Sequence, residues 1–431
     1  MRLSLIFIMC LLLCSTLLTA GEGKIRVVGI HDPITPVVAG FLHRNLEEAA
    51  RQGDRLLLIE IDTPGGLDTA MREIVKDIFA SPVPVAVYVA PSGARAASAG
   101  AIITLAADVN AMAPGTNIGA AHPVSIGEKP DKTMEEKIVN DAEAYMEGIA
   151  GKCGRNEALA RRMVRDSISL SADKALEGRV IDLIARDRSD LLRQLEGRHI
   201  VRAGKDRVLH LAGARVAPVE MRGIERILNI ISNPNVAYLL MILGILGLFF
   251  ELSNPGVILP GVIGGISLIL AFFAFQVLPV NYAGVLLILL ALILFIAEIK
   301  VVSHGVLTVG GVIALILGSM LLFDSPEPYL RVSWSVIAVT AATVTGFFVF
   351  AVTKALRAHH QRPTTGREGL IGKKGVADSR IAPEGKVFVN GEYWDAWSEE
   401  PIAAGEKVVV EAVEGMRIKV KRYEQRVSVG V

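Results

Sequence analysis

Residues 83–107 read VPVAVYVAPSGARAASAGAIITLAA, and how this stretch divides decides the fold. Its first eight residues form an apolar, β-branched run without polar alternation, the mark of a strand buried on both faces. The segment ARAASAG (94–100) is small side chains around one hydroxyl, Ser98, and is predicted to open a helix that continues through AIITLAA. A strand that feeds a helix through small residues is half of a β-α-β unit. Working outward, the same alternation recurs upstream. KIRVVGI (24–30) is a strand, and residues 33–52 are amphipathic, with Asp32 as N-cap and Pro33 at the first helical position. RLLLIEID (55–62) is a second buried strand; it ends in TPGG and leads to a helix over 67–80. The pattern predicts an α/β domain with a largely parallel sheet over residues 23–216.

The rest of the chain has a different character. Of 431 residues, 52% are hydrophobic, too many for an ordinary soluble protein of this length. Arg2, the apolar run 3–13 and the small and polar residues 14–20 form a secretory signal peptide, with cleavage expected at Ala20-Gly21. An uncleaved anchor is the alternative, since Leu18 replaces the usual small residue at −3. Cys10 and Cys14 leave with the peptide, so Cys153 remains alone and no internal disulfide is expected.

Residues 235–355 carry five apolar runs (236–250, 257–275, 283–297, 306–323 and 333–353) that read as membrane-spanning helices. The first and third are the shorter, which leaves four as the alternative count. The glycine patches 261–265 and 310–311 permit close helix packing. Lys354, Arg357, Arg362, Arg367, Lys373 and Lys374 follow the last run, which places that end in the cytoplasm. Five spans then put residues 23–216 on the extracytoplasmic side, in agreement with the export signal. Residues 366–431 alternate short strands with turns at Asn390-Gly391 and Glu414-Gly415, the pattern of a small closed barrel of the oligonucleotide/oligosaccharide-binding (OB) type. Tyr393, Trp394 and Trp397 read as core or protein contact there. With a net charge of only +1 and no dense basic groove, nucleic acid is not an expected partner. The eight histidines are scattered without ligand spacing, so no metal is expected.

Three features of the first domain bear on chemistry. DTPGG (62–66) follows a buried strand, where two glycines let backbone N–H groups face a cleft; such pairs stabilise an oxyanion, although Pro-Gly also makes ordinary turns. Ser98 stands at a helix N-terminus, where developing negative charge is favoured and the N–H of Ala99 is at hand. The same small residues also suit tight helix packing, and both readings stand on the residues alone. A serine needs a base. Two are open: His122 in GAAHPV (119–124), oriented by Asp108 as in a triad, or a lysine neutralised by burial, with Lys137 on the flank of the stripe Ile138, Ala142, Tyr145 and Ile149.

DTPGG, ASAG around Ser98, IGAAHPV (118–124) and KIVN with its following AY (137–145) together resemble the long-form NfeD membrane serine peptidases, of the ClpP-like class and akin to signal peptide peptidase A. The resemblance extends over nearly the whole chain: signal peptide, peptidase domain, several spans and a C-terminal barrel in that order. It implies a ClpP/crotonase-type β-β-α superhelix in place of a doubly wound sheet. It also implies a Ser–Lys dyad of Ser98 as nucleophile and Lys137 as general base, with Gly65, Gly66 and Ala99 near the oxyanion and no cofactor. The implied setting is a multi-pass protein of a bacterial or archaeal inner membrane. Its implied partner is a stomatin- or flotillin-like membrane protein cut in an apolar segment, and association at least to a dimer is expected. The alternatives are a non-catalytic scaffold that organises such a partner through the barrel, and an acyl-CoA enzyme, which the export signal disfavours.

Overall fold

The structure, a computed structural model, describes residues 23–124, 131–202, 205–253, 256–301, 303–360 and 367–423; the expected signal peptide lies outside them. The chain divides into two compact units, Met1–Ala297 with Ser303–Thr345, and Glu298–Val302 with Gly346–Val431.

The first unit begins with a parallel sheet. Strands β1 (Ile25–Ile30), β2 (Leu56–Ile61), β3 (Val85–Val89), β5 (Val109–Met112), β8 (Leu183–Ile184) and β11 (Val216–Val219) lie in the order β11-β1-β2-β3-β5-β8. Every pairing is parallel, and helices such as Pro36–Gln52 and Asp68–Ala80 cover it, so β2 and β3 are buried on both faces. A second, smaller set of strands explains the topology. β4 (Arg95–Ala97) pairs in parallel with β6 (Asn117–Gly119), which pairs antiparallel with β7 (Ser169–Ser171). Single bridges extend this row, Ile34 to Gly66 and Thr63 to Ala96. The repeating unit is therefore a sheet strand, an offset strand and a helix, which is the ClpP-like β-β-α superhelix and not a doubly wound sheet.

This offset row overturns two local expectations. ARAASAG does not open the helix: Arg95–Ala97 is strand β4, and the helix is Ala99–Ala106. Alanines are helix formers, but here Thr63 and Asn117 offer backbone partners on either side. Likewise the first helix starts at Pro36 with Thr35 as N-cap, not at Pro33 after Asp32, because Ile34 is held extended against Gly66. A hairpin of β9 (His199–Arg202) and β10 (Lys205–Val208) precedes β11.

One buried charge sits in this sheet. Arg26, in the middle of β1, is 2% exposed, and its Nε donates to Asp54 Oδ2 at 2.8 Å; its other nitrogens reach Asn45, Glu48 and Gln52.

Beyond β11, the helix Gly223–Ile231 connects the sheet to the apolar helices. Arg44 of the first helix forks onto the Glu225 carboxylate with two bonds of 2.8 Å, and Asn229 donates to Asp32 at 2.8 Å. The hydrogen bond from Arg44 holds the Glu225 carboxyl below the usual carboxylate range. The opposite face, Ile224, Ile227 and Ile230, is left exposed at 62%, 54% and 53%. Three helices are then long and apolar enough to cross a membrane: Pro234–Ser253, Tyr282–Lys300 and Pro328–Ala351. Leu259–Phe275 and Val306–Leu321 are shorter. The expectation that the first and third runs are the short ones is reversed, because Pro234 and Ser253 extend the first helix while Glu298 and Lys300 extend the third. Glycine sets the packing as expected at Gly264, where an added Cβ would lie 2.8 Å from the Leu248 nitrogen.

The second unit ends in a closed five-stranded barrel of OB type. β12 (Lys374–Ala377), β13 (Glu384–Val389), β14 (Glu392–Trp397), β16 (Arg417–Arg422) and β15 (Lys407–Glu414) follow one another around it. Asn390 and Gly391, both at positive φ, turn the β13–β14 hairpin. Trp394 packs on the barrel core, whereas Tyr393 is 66% exposed beside Phe388.

Candidate active site

Ser98 is where β4 passes into the helix Ala99–Ala106. Its backbone is at φ 51°, ψ −118°. A residue with a Cβ pays about 1–3 kcal/mol for such a conformation, which persists only when its surroundings enforce it. They do so here: the Ser98 N–H donates to the Gly119 carbonyl at 2.9 Å, and its own carbonyl accepts from Ala101 at 3.0 Å. The side chain is half-buried and makes no hydrogen bond among the described residues. A strained residue on a sharp strand-to-helix turn is the device that presents a nucleophile with free access to its oxygen.

The offset strand row brings DTPGG to the same place. Thr63 N–H donates to the Arg95 carbonyl at 2.8 Å, and Ala97 N–H donates to the Thr63 carbonyl at 3.1 Å, so the turn after β2 lies alongside β4. Thr63 Oγ1 donates to the Asp32 carbonyl at 2.9 Å and fixes the turn from the other side. Gly65, at φ 127°, has no space for a side chain: a Cβ would lie 2.8 Å from Ser98 Cβ and 3.3 Å from Ser98 Oγ. The structure thus brings Gly65, Gly66, Ser98 and Ala99 together. The N–H groups of Gly66 and Ala99 donate no hydrogen bond among the described residues, and a pair of free amides beside a hydroxyl is what an oxyanion requires.

Gly66 is the more demanding of the two glycines, since a Cβ there would meet the Ile34 carbonyl oxygen at 2.3 Å and its nitrogen at 2.4 Å. Gly66→Ala is expected to break the bridge to Ile34, move the amide and lower turnover by about 10²-fold or more, the usual cost of one oxyanion donor. Gly40→Ala is the control: in mid-helix with nothing within 4 Å of its Cβ, it should raise stability by about 1 kcal/mol. Turnover and thermal midpoint, measured on both variants, check the pair.

Among the described residues no hydrogen bond links Lys137 to Ser98. Lys137 stands in the helix Lys132–Lys152, exposed, and bonds to nothing among the described residues. The helix is anchored through its later turns. Met146, Ile149 and Ala150 are buried, the Arg72 guanidinium lies 4.2 Å from the Tyr145 ring and bonds Asp141, and Glu143 accepts from Arg161 and Arg165. The Arg165 hydrogen bond holds the Glu143 carboxyl below the usual range. The expected apolar stripe is therefore buried at Ile149 and exposed at Ile138, next to the exposed Lys137.

The triad reading is not assembled either. His122 Nδ1–H donates to the Val164 carbonyl at 2.9 Å. Asp108 accepts from the Val85 N–H at 2.7 Å and from the Arg202 guanidinium, so its carboxylate serves the sheet and not His122. Sequence reasoning missed one residue beside the nucleophile altogether. Tyr329 belongs to the short turn Pro328–Leu330, which reads in sequence only as a divider between apolar runs, and its hydroxyl lies 3.1 Å from where a Gly65 Cβ would be. No group of three or more His, Cys, Asp or Glu side chains gathers to hold a metal among the described residues.

Comparison with known proteins places the chain. Family models match it in order: the N-terminal domain of NfeD1b over residues 24–195, the NfeD integral membrane domain over 235–354, and the NfeD-like C-terminal, partner-binding domain over 367–422. The chain is 36% identical over 434 residues to the membrane-bound protease PH1510 of Pyrococcus horikoshii, covering 98% of each. It is 28% identical to the membrane protein NfeD1b of Bacillus subtilis, over 96% of this chain and 97% of that one. Among solved structures, the 1510-N membrane protease specific for a stomatin homolog, from Pyrococcus horikoshii, matches 49% of this chain and 99% of its own at 30% identity, with a TM-score of 0.44. Matched end to end by relatives and domain by domain by family models, the chain belongs to the NfeD family in its long form, with a ClpP-like N-terminal domain, an integral membrane domain and a partner-binding C-terminal domain.

Proposed function

We propose that the protein is a membrane-anchored serine endopeptidase that cuts apolar segments, those of a stomatin- or flotillin-like membrane partner in the first place. The observation that carries this reading is the strained Ser98 held against Gly65, a costly arrangement that packing alone does not need. The full-length similarity to a membrane-bound protease supports it.

In this reading Ser98 Oγ attacks the scissile carbonyl carbon while Lys137 Nζ takes its proton. The N–H groups of Gly66 and Ala99 hold the resulting oxyanion. The tetrahedral intermediate collapses, the C–N bond breaks, and Lys137 returns the proton to the leaving amine. A water, deprotonated by Lys137, then hydrolyses the Ser98 ester and releases the carboxylate. Lys137 must reach Ser98 for this, and catalytic hydrogen bonds are often long until substrate is bound. The exposed first turn of its helix is the part free to close, since the anchoring contacts begin at Val139 and Asn140. Peptidase on the extracytoplasmic side and barrel in the cytoplasm is the orientation that the flanking charges support, and the barrel is the module for the partner.

The test is cleavage of an apolar peptide by the full chain in nanodiscs. Lys137→Ala is expected to lower turnover by about 10²–10⁴-fold, the range of a lost general base, while His122→Ala stays near wild type. Near-full activity in Lys137→Ala together with loss in His122→Ala would replace the dyad by a triad.

A further inference from the structure

A cleft opens at Gly66, beside the nucleophile, and its far wall does not come from the peptidase domain. Ile34, Gly66 and Leu67 line one side; Leu278, Tyr329 and Leu330, from the ends of the apolar helices, line the other, and polar side chains that include Asp32 and Asn229 also border it. Its cavity volume is ≈ 50 Å³. Ile34, Leu278 and Leu330 are 0%, 6% and 8% exposed, so the walls are well packed from behind. Tyr329 reaches furthest inward, because its hydroxyl and Ser98 Oγ lie 3.1 and 3.3 Å from one point, the Cβ position of Gly65.

The turn that carries Tyr329 is built to hold it there. Leu330 N–H donates to the Glu327 carbonyl at 3.1 Å, Glu327 N–H donates to Ser325 Oγ at 3.2 Å, and the Arg331 side chain donates to the Ser325 carbonyl. Ser333 N–H donates to Asn235 Oδ1 at 2.8 Å, which ties the turn to the start of the first long apolar helix. The helix before it, Gly223–Ile231, is joined to the peptidase domain by the Arg44–Glu225 fork.

We propose that Tyr329 is a specificity-determining residue of the peptidase: it closes an apolar subsite next to Gly66 that takes one branched aliphatic side chain flanking the scissile bond. The proposal rests on the peptidase reading given above. The cleft continues the oxyanion side of the site, so whatever fills it is attached to the carbonyl that Ser98 attacks. Its walls are mainly apolar, and the Asp32 carboxylate among them, bonded to Asn229, repels a second acid. Its small volume disfavours a large aromatic one. Substrate selection in this protein is therefore shared between the peptidase domain and the membrane domain.

The experiment measures kcat/KM of the full chain in nanodiscs on peptides that differ only at the residue flanking the cut, with Leu, Phe or Asp there. Wild type should prefer Leu to Phe and to Asp. Tyr329→Ala should open the cleft and shift the Phe-to-Leu ratio toward Phe by about 10-fold, within the range that one pocket contact controls. Tyr329→Leu should shift it in the same direction by less, and serves where the alanine variant melts early. Tyr329→Phe, which keeps the ring as a wall, should leave the ratio near wild type. An unchanged ratio in Tyr329→Ala and Tyr329→Leu, with cleavage still dependent on Ser98, overturns the inference and leaves the peptidase standing. A shift of the ratio in Tyr329→Phe as large as that in Tyr329→Ala also overturns it, since the hydroxyl and not the wall is then what matters. Failure of wild type to cleave any peptide, with no labelling of Ser98 by a fluorophosphonate, overturns the peptidase reading and this inference with it.

Discussion

Replacing Ser98 by glycine is expected to abolish turnover and, in the same protein, to raise the thermal midpoint. Loss of a serine nucleophile removes the covalent route and costs on the order of 10⁴–10⁶-fold in kcat. The gain in stability comes from the backbone. At φ 51°, ψ −118° a side chain is strained by about 1–3 kcal/mol, whereas glycine adopts positive φ freely. Glycine also loses more backbone entropy on folding, about 0.5–1 kcal/mol, which leaves a net gain near 1 kcal/mol. For a domain of this size that is a rise of roughly 2–4 °C. Ser98→Ala discriminates the two effects, since it removes the hydroxyl but keeps the Cβ: it should be as inactive as the glycine variant and melt with wild type. Equal midpoints for the alanine and glycine variants would show that the backbone at this position stores no strain, and the nucleophile elbow would lose its basis.

The largest expected loss of stability lies far from Ser98, at Asp54. Its side chain and that of Arg26 are 1% and 2% exposed and meet at 2.8 Å. Removing one partner of a buried pair leaves an uncompensated charge in a low-dielectric site and costs about 3–5 kcal/mol. Asp54→Ala should therefore lower the midpoint severely, with Arg26 left to Glu48 at 3.1 Å. Replacing both residues, Arg26→Met with Asp54→Leu, should recover most of the loss, because two well-packed apolar side chains no longer bury a charge. Chemical unfolding of the single and double variants measures both. A loss below about 1 kcal/mol in Asp54→Ala would mean that Glu48, shared with Arg44 and Arg222, takes over the charge at little cost.

The large elements were legible because their signals are local. β3 is an unbroken apolar run and β2 one interrupted only by Glu60, and the barrel announces itself through period-two strands and the Asn390-Gly391 turn. The order of DTPGG and Ser98 along the chain was legible, and so was the chemistry that each permits. What escaped was non-local. Short offset strands such as Arg95–Ala97 have helix-forming composition and become strands only because Thr63 and Asn117 lie beside them. The φ of Ser98 is imposed by Gly119, twenty-one positions later in the chain, and no window around Ser98 contains that information. Lys137 illustrates the converse. Helical periodicity found the packed face at Ala142, Tyr145 and Ile149 but misplaced its start, since Val139 and not Ile138 packs on the core. Tyr329 was invisible because a loop between apolar runs has no pattern that points at another domain's active site.

The helix Gly223–Ile231 has a consequence of its own. One face is fastened to the peptidase domain by Glu225 and Asn229, the other offers three exposed isoleucines, and its end runs into the first long apolar helix. Such a helix suits the plane of a bilayer surface. In the proposed peptidase, a helix clamped in this way would hold the cleft at a fixed height over the lipid. Vertical reach then becomes a filter independent of residue identity: a polypeptide is eligible only if its bond emerges at the level of Ser98, and a matching sequence held deeper or farther out is passed over.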